Sequence, residues 1–315
     1  MKRLGYLYDK ICNLNNINYT FNEICKKIKN KRKLEYLKEN RLLYICKIFN
    51  ILKNKNYEPG FSHVFTIYEP KKRRIVSLNL QDKIINHLVS KFIISPAVLP
   101  CLIDENVASR KGFGTRKGLE LYNSFRKKCT IKYGNYFILK CDISKFFQSI
   151  NHNILMEKLQ KKIKDGDALN IISKIINAEK NGLSIGAMSS QLLAIFYLND
   201  LDHYIKETLR VKYYVRYQDD FLLFHPSKEY LKYCLEKIKL FLDKEGLTLN
   251  KKARIYSSQD KFLFLGRTLN GKYAKYRTIK RRLKKRKYLY STKKISLGSY
   301  ASSMISYNFL NKKRY

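Results

Sequence analysis

Acidic residues are scarce. Lys and Arg number 65 against 25 Asp and Glu, a formal net charge of +40 over 315 residues. A coding bias accounts for excess Lys, Asn, Ile and Tyr, but not for so few acids. Each phosphate met by a cation releases counterions, so this balance points to nucleic acid bound in a salt-dependent way. An anionic membrane surface is the alternative. Neither an apolar run approaching the ~20 residues of a spanning helix nor a secretory leader is expected. The seven cysteines (Cys12, Cys25, Cys46, Cys101, Cys129, Cys141 and Cys234) include no CxxC pair and no cysteine–histidine set at metal spacing. That excludes a zinc module and a disulfide framework, and suits free thiols in a reducing cytoplasm. No internal repeat is present.

The chain is long enough for a large core or for two or three subdomains, and 45% of it is apolar. Tyr213–Phe224 holds the adjacent acids Asp219 and Asp220 between two aromatic, β-branched runs. That pattern reads as strand, turn, strand. On a flat strand neighbouring side chains point to opposite faces, whereas a tight turn lets both carboxylates approach one point. Clustered carboxylates repel unless a cation joins them, and hard oxygen donors suit Mg²⁺. Alone, the stretch reads equally as a solvated, Asp-rich hairpin turn.

A second acid lies in a similar frame. Asp142 closes the apolar run Tyr136–Cys141 and precedes Phe146-Phe147. Two-metal phosphoryl transfer takes carboxylates from separate segments to hold ions about 3.5–4 Å apart. Asp142, Asp219 and Asp220 meet that requirement if the two strands are neighbours.

Elsewhere, residues 1–56 carry helical apolar spacing, interrupted at Asn13–Asn18 and Lys29–Arg32. Strands are expected at Phe61–Tyr68 and Ile75–Leu80, around a cationic tip containing Lys72, Arg73 and Arg74. Such a tip suits a triphosphate or a template phosphate, or is simply a solvated hairpin end. Register decides which cation points inward, and Arg74 is favoured. Asp82–Ile94 reads as a buried helix ended by Pro96 and Pro100. His87 within it reads as a packing or capping residue. Ser109–Thr115 is a glycine-containing loop that carries Arg110. Lys228–Lys244 is an amphipathic helix, Phe262–Gly266 a strand, and 271–315 a strongly basic segment.

Tyr217-Gln218-Asp219-Asp220 resembles the signature tetrad of reverse transcriptases, and Asp142–Phe147 resembles their first catalytic motif. Gly182–Gln191 carries IGxxxSQ, similar to the reverse transcriptases of diversity-generating retroelements, where most of the family carries QGxxxSP. The opening Met1–Cys12 and the tail Gly298-Ser299-Tyr300 are also similar to that group, within the retron and group II intron-like bacterial superfamily.

The resemblance implies an α+β right hand: fingers over 1–135 with the first palm elements, an antiparallel-sheet palm over 136–270, and a short basic helical thumb over 271–315. No endonuclease, maturase or RNase H segment is expected within these 315 residues. It implies two Mg²⁺ held by Asp142, Asp219, Asp220 and the Ile143 carbonyl. Arg74, Arg110, Phe147, Ile185, Gly186 and Gln191 then belong to nucleotide binding. Phe147 stands as a gate that excludes a 2′ hydroxyl. Ile185 stands where most of the family has a glutamine, which implies lower fidelity. Lys72, Arg73, Gly266, Lys280, Arg281 and Arg282 belong to primer and template binding. The implied partners are a template-repeat RNA, dNTPs, a cDNA primer or product copied with mutated adenines, and a small basic accessory protein that forms a ring. The alternatives are a retron-type or phage-defence reverse transcriptase, or a catalytically idle RNA-binding scaffold.

Overall fold

The computed structural model describes residues 3–68, 72–269 and 276–312. It divides into two compact units: Met1–Thr66 with Arg74–Ser258, and Ile67–Arg73 with Gln259–Tyr315.

The first unit opens with helices Tyr8–Ile11, Leu14–Cys25, Lys31–Glu39 and Arg41–Lys53. Asn13 and Asn30 start helices rather than interrupt them. The Asn13 side chain accepts from the Asn15 and Asn16 N–H groups, and Asn30 accepts from Lys33. These caps satisfy donors that a helix N-terminus leaves free, so Asn15–Asn18 lie inside a helix. Ile17, Phe21, Ile24, Ile48 and Leu52 form the buried stripes.

A two-stranded ribbon follows, β1 (His63–Ile67) with β2 (Arg73–Ser77), so β2 begins two residues before the expected Ile75. Helix Leu80–Val89 then passes into a π-turn at Ser90–Ile94, a further helical turn at Ser95–Val98 and a 3₁₀ turn at Leu99–Cys101. Pro96 does not end this run. The Ser95 N–H reaches back five residues to the Ser90 carbonyl. Such a wide turn relieves the clash a proline ring makes with the carbonyl four residues earlier. The expectation of no long apolar run is corrected with it. Among the described residues, Leu80–Cys101 is long and apolar enough to cross a membrane by length and composition. Its Ile84, Leu88, Ile93, Ile94 and Val98 are fully buried in the protein core.

The centre is a four-stranded antiparallel sheet of β3 (Phe137–Asp142), β4 (Tyr213–Tyr217), β5 (Asp220–His225) and β6 (Arg254–Ser257), in the order β4-β5-β3-β6. The β3–β5 register pairs Ile138 with Phe224, Lys140 with Leu222, and Asp142 with Asp220. Alternation therefore divides the sheet. One face carries Leu139, Cys141, Phe221, Leu223 and Tyr214, all in the main core. The other carries Ile138, Lys140 and Asp142 beside Phe224, Leu222 and Asp220. Helix Thr115–Tyr133 covers the far end of this second face, where Tyr122 and Phe125 pack on Phe224 at 5.7 and 6.0 Å between ring centroids.

In the second unit, β7 (Phe262–Phe264) pairs with β8 (Arg267–Leu269). The strand expected to run through Gly266 ends at Phe264. Leu265 and Gly266 form a two-residue turn with φ of 48° and 76°, the backbone that matches strand twist in a tight hairpin. Helices Tyr276–Ser291 and Leu297–Lys312 pack together, with Tyr290 stacked on Tyr300 at 5.0 Å. The side chains of Lys280, Arg281 and Arg282 lie outside the described residues.

Candidate active site

The β4–β5 connection is as short as a hairpin allows. Tyr217 pairs with Asp220, leaving Gln218 and Asp219 as the turn, with Gln218 at φ 56°. Asp219 sits at the tip, and Asp220 is the first residue of the ladder, opposite Asp142. Asp142 and Asp220 share the sheet face that also carries Lys140. The Lys140 ammonium forms an ion pair with Asp220 Oδ1. Burial pushes the Asp220 carboxyl up to about 6; Lys140 pulls it down, and the nearby Asp142 and Asp219 carboxylates push it up again. Burial also raises the Cys141 thiol far out of the reactive range, so this neighbour of Asp142 is a packing residue.

Asn250 holds Asp142. Its backbone N–H donates to the Asp142 carbonyl at 2.7 Å, and its side-chain amide donates to Asp142 Oδ2 at 2.9 Å. Ser144 N–H donates to Thr248 at 2.9 Å, around an antiparallel bridge between Ile143 and Leu249. The ladder bonds thus belong to Asp142 and Ser144, and the Ile143 carbonyl is directed away from that partner strand.

Arg216 holds the turn from beneath. Its side chain and that of Asp202 have no solvent exposure and form a bidentate ion pair, with Nε donating to Oδ1 at 2.6 Å. Tyr214 donates its hydroxyl to the same oxygen at 2.7 Å, and burial beside Asp202 raises that phenol well above its usual range. Arg216 also donates to the carbonyls of Ile195 and Gln218, both at 3.0 Å. Gln218 donates in turn to Ser109 Oγ at 2.8 Å. The turn is therefore fixed from two sides.

Other sequence-derived candidates are distributed around this centre. Arg110 is engaged by its own loop: it donates to the carbonyls of Ile103 (2.8 Å) and Asn106 (3.1 Å) and stacks on Phe113 at 4.0 Å. Arg74 pairs with Glu179 at 2.9 Å. Lys72 and Arg73 are exposed where β2 begins.

Phe147 lies in a short helix entered through left-handed Lys145, and its carbonyl accepts from Leu183 N–H at 2.6 Å. Gly182 has φ 66°, and a Cβ there would lie 2.2 Å from the Phe147 carbonyl oxygen. His152 bonds the Gly182 carbonyl at 2.6 Å. This contact locks the Gly182–Gln191 segment to the Asp142–Phe147 segment.

The same segment docks on β2. Val76 N–H donates to the Ile185 carbonyl at 3.0 Å, and a Cβ on Gly186 would meet the Val76 oxygen at 2.6 Å. Ile75, Ser77, Lys83, His87, Gly186 and Met188 are among the residues lining a cavity of about 190 Å³ at this junction. Burial lowers His87 to about 4, with help from the Lys27 and Lys83 charges, so it is a neutral, packed side chain. Gln191 is exposed on helix Met188–Tyr197, and Gly266 lies in the β7–β8 turn of the second unit.

Sequence reading missed Lys140, Asp202, Arg216 and Asn250. Arg216 carries a faint signal, as the single charge within strand Tyr213–Tyr217. Asn250 carries none. Its role depends on a loop far along the chain returning to Asp142.

Residues 52–269 match the profile of a family described as reverse transcriptase (RNA-dependent DNA polymerase). The chain belongs to the reverse transcriptase family. Similar proteins include the uncharacterized 91 kDa protein in cob intron of Schizosaccharomyces pombe, 29% identical over 174 residues, covering 51% of this chain and 21% of that one. The putative COX1/OXI3 intron 1 protein of Saccharomyces cerevisiae is 22% identical over 223 residues, covering 66% and 25%. This reverse transcriptase chain thus spans about a quarter or less of the length of these relatives. Among solved structures, telomerase from Candida albicans in complex with a TWJ fragment of telomeric RNA superposes with TM-score 0.53 at 14% identity, covering 74% of this chain and 51% of that one. Apo telomerase from Candida tropicalis, truncated of its C-terminal domain, gives 0.53 at 17%, covering 70% and 56%. At such identities the likeness is one of fold: mixed helix and sheet around an antiparallel sheet.

Proposed function

We propose that this reverse transcriptase chain is an active RNA-directed DNA polymerase that uses two Mg²⁺ ions. The observation that carries the reading is Asp142 facing Asp220 across β3–β5 with Asp219 in the adjoining turn. The donor chemistry fits a hard divalent ion: three carboxylates close enough to repel one another, one of them paired with the Lys140 ammonium. Among the described residues no three acid, His or Cys side chains stand together at metal-holding distances, so loading rearranges these carboxylates. When bound, the ions supply activation of a primer 3′ hydroxyl and charge neutralisation of the triphosphate. Asp142, Asp219, Asp220 and the Ile143 carbonyl would hold them. Asn250 and Arg216 orient the two strand ends that present these groups.

The right-hand assignment, with fingers over 1–135, palm over 136–270 and thumb over 271–315, belongs to the same proposal. So does the diversity-generating subtype, which rests on the Ile185–Gln191 pattern. In that reading Phe147 excludes the 2′ hydroxyl, and Ile185 offers no hydrogen bond to position the nascent base pair. Arg74, Arg110, Gly186 and Gln191 contact the nucleotide, and Lys72, Arg73, Gly266, Lys280, Arg281 and Arg282 contact primer and template. The setting is cytoplasmic, and the partners are a template-repeat RNA, dNTPs, a cDNA primer and a basic ring-forming accessory protein. The intron-protein relatives favour a second reading, in which the chain copies an RNA without adenine-directed errors.

Primer extension on RNA with Mg²⁺ and dNTPs, followed by product sequencing, tests both. An Asp219→Asn control runs in parallel. Errors concentrated opposite adenine support the diversity-generating subtype, and sparse, evenly spread errors support the second reading. Absence of extension with and without a basic accessory protein, together with tight RNA binding, replaces both with the scaffold.

A further inference from the structure

The cation already in the carboxylate cluster belongs to the protein. Lys140 lies two residues before Asp142, so both side chains leave β3 on the same face. Its register partner is Leu222, two residues beyond Asp220 on that face of β5. Lys140 is thus the diagonal neighbour of Asp220, within reach of a long side chain. Its ammonium bonds Asp220 Oδ1, and the two side chains are 19% and 24% exposed. A half-buried, oriented ion pair of this kind interacts far more strongly than a surface pair.

We infer that Lys140 is a placeholder cation: its ammonium holds Asp220 while no divalent ion is bound, and a divalent ion loads by exchange with it. This rests on the metal-site reading above. In the exchange the ammonium keeps its proton and swings to solvent, releasing Asp220 Oδ1 as a ligand. A β3 with an uncharged residue at 140 would present the same three carboxylates without this competing ammonium. Lys140 therefore lowers affinity for the ion and keeps the cluster ordered in the ion's absence.

The test is Mn²⁺ binding to the full chain without nucleic acid, read as free Mn²⁺ by electron paramagnetic resonance. The chains are the parent, Lys140→Met, Lys140→Arg and Asp220→Asn. Lys140→Met is expected to bind about tenfold more tightly than the parent, since a contacting positive charge has been removed. Lys140→Arg is expected to bind like the parent. Lys140→Met should also melt lower in EDTA and gain more from saturating Mn²⁺. Lys140→Gln, checked by circular dichroism, serves if Lys140→Met fails to fold. Equal or weaker Mn²⁺ binding by the uncharged variant overturns the inference while leaving the metal site standing. A parent that binds no more Mn²⁺ than Asp220→Asn removes the metal-site reading and the inference with it.

Discussion

Arg216 and Asp202 face each other with neither side chain exposed, and the same guanidinium donates to the carbonyl of Gln218. The Asp-Asp turn therefore stands on a buried ion pair. Desolvating two charges offsets much of their attraction, so the pair adds little net stability while both members remain. Its value lies in orientation. Removing one member leaves an uncompensated buried charge.

Arg216→Met or Asp202→Leu alone is expected to cost about 3–5 kcal/mol in urea unfolding. The double variant should recover a large part of that loss, because no charge is then stranded. Polymerase activity should not recover with it, since the Gln218 carbonyl has still lost its donor. A double-variant loss equal to the sum of the two single losses would show that the two residues are not coupled.

Asn250→Ala keeps the backbone bond to Asp142 and removes the amide bond to Oδ2. Partners that orient a metal ligand are typically worth 10–100-fold in metal affinity or activity. The expected result is a Mg²⁺ requirement raised within that range, with unfolding stability lowered by about 1–3 kcal/mol at most. A titration of extension rate against Mg²⁺ reads it directly.

Two groups give opposite slopes of stability against pH. His87 is lowered from 6.5 to about 4, so the unfolded chain takes up its proton first. Its contribution is complete above pH 6.5 and is lost as pH falls toward 4. Asp220 is raised from 3.8 to about 6, so the unfolded chain ionises first. Its contribution is complete below 3.8 and is lost as pH rises through 6. Urea unfolding between pH 4 and 7 in EDTA should show His87→Gln losing stability more steeply with rising pH than the parent. Asp220→Asn should deviate the other way. Parallel profiles for all three proteins would contradict both assignments.

Gly182→Ala puts a Cβ 2.2 Å from the Phe147 oxygen at a backbone φ of 66°. The backbone of Phe147 must move, or the 182–191 segment must. A cost of at least about 1–3 kcal/mol is expected from the forced conformation alone. Extension should fall by more than the loss of folded protein accounts for. Asn181→Ala, exposed and adjacent, is the comparison that should change neither.

Ile185→Gln introduces a hydrogen-bonding side chain at the junction with β2. On the proposed reading it lowers misincorporation opposite adenine relative to the parent, measured by product sequencing. An unchanged error spectrum would remove Ile185 from the fidelity argument.

Much of the scaffold was legible along the chain. Helix Lys228–Lys244 and the hairpin around Gln218–Asp219 fall where periodicity and turn chemistry place them. Pro96 and Gly266 misled, each for a local reason. A π-turn accommodates the proline, and paired positive φ values make Leu265-Gly266 a turn where hydrophobicity alone suggested strand. The basic residues at the ribbon tip and in the 109–115 loop were recognisable as charged. Charge alone could not reveal that Glu179 already pairs with Arg74, or that loop carbonyls already occupy Arg110.

By itself the sequence determined where the acids would stand within their own segments. Side-chain alternation and turn geometry are local properties: they put Asp142 at a strand end, Asp219 in a turn and Lys140 on the same face as Asp142. Only the tertiary structure decided what those groups meet. The β3–β5 register, set by packing on both sheet faces, brings Asp142 opposite Asp220 and Lys140 onto Asp220. The return of residues 248–250 to β3 gives Asp142 its Asn250 partner. A one-residue slip of β5 would send Asp220 to the opposite face and separate the cluster. That choice belongs to the whole core, because local preferences do not distinguish one register from the next.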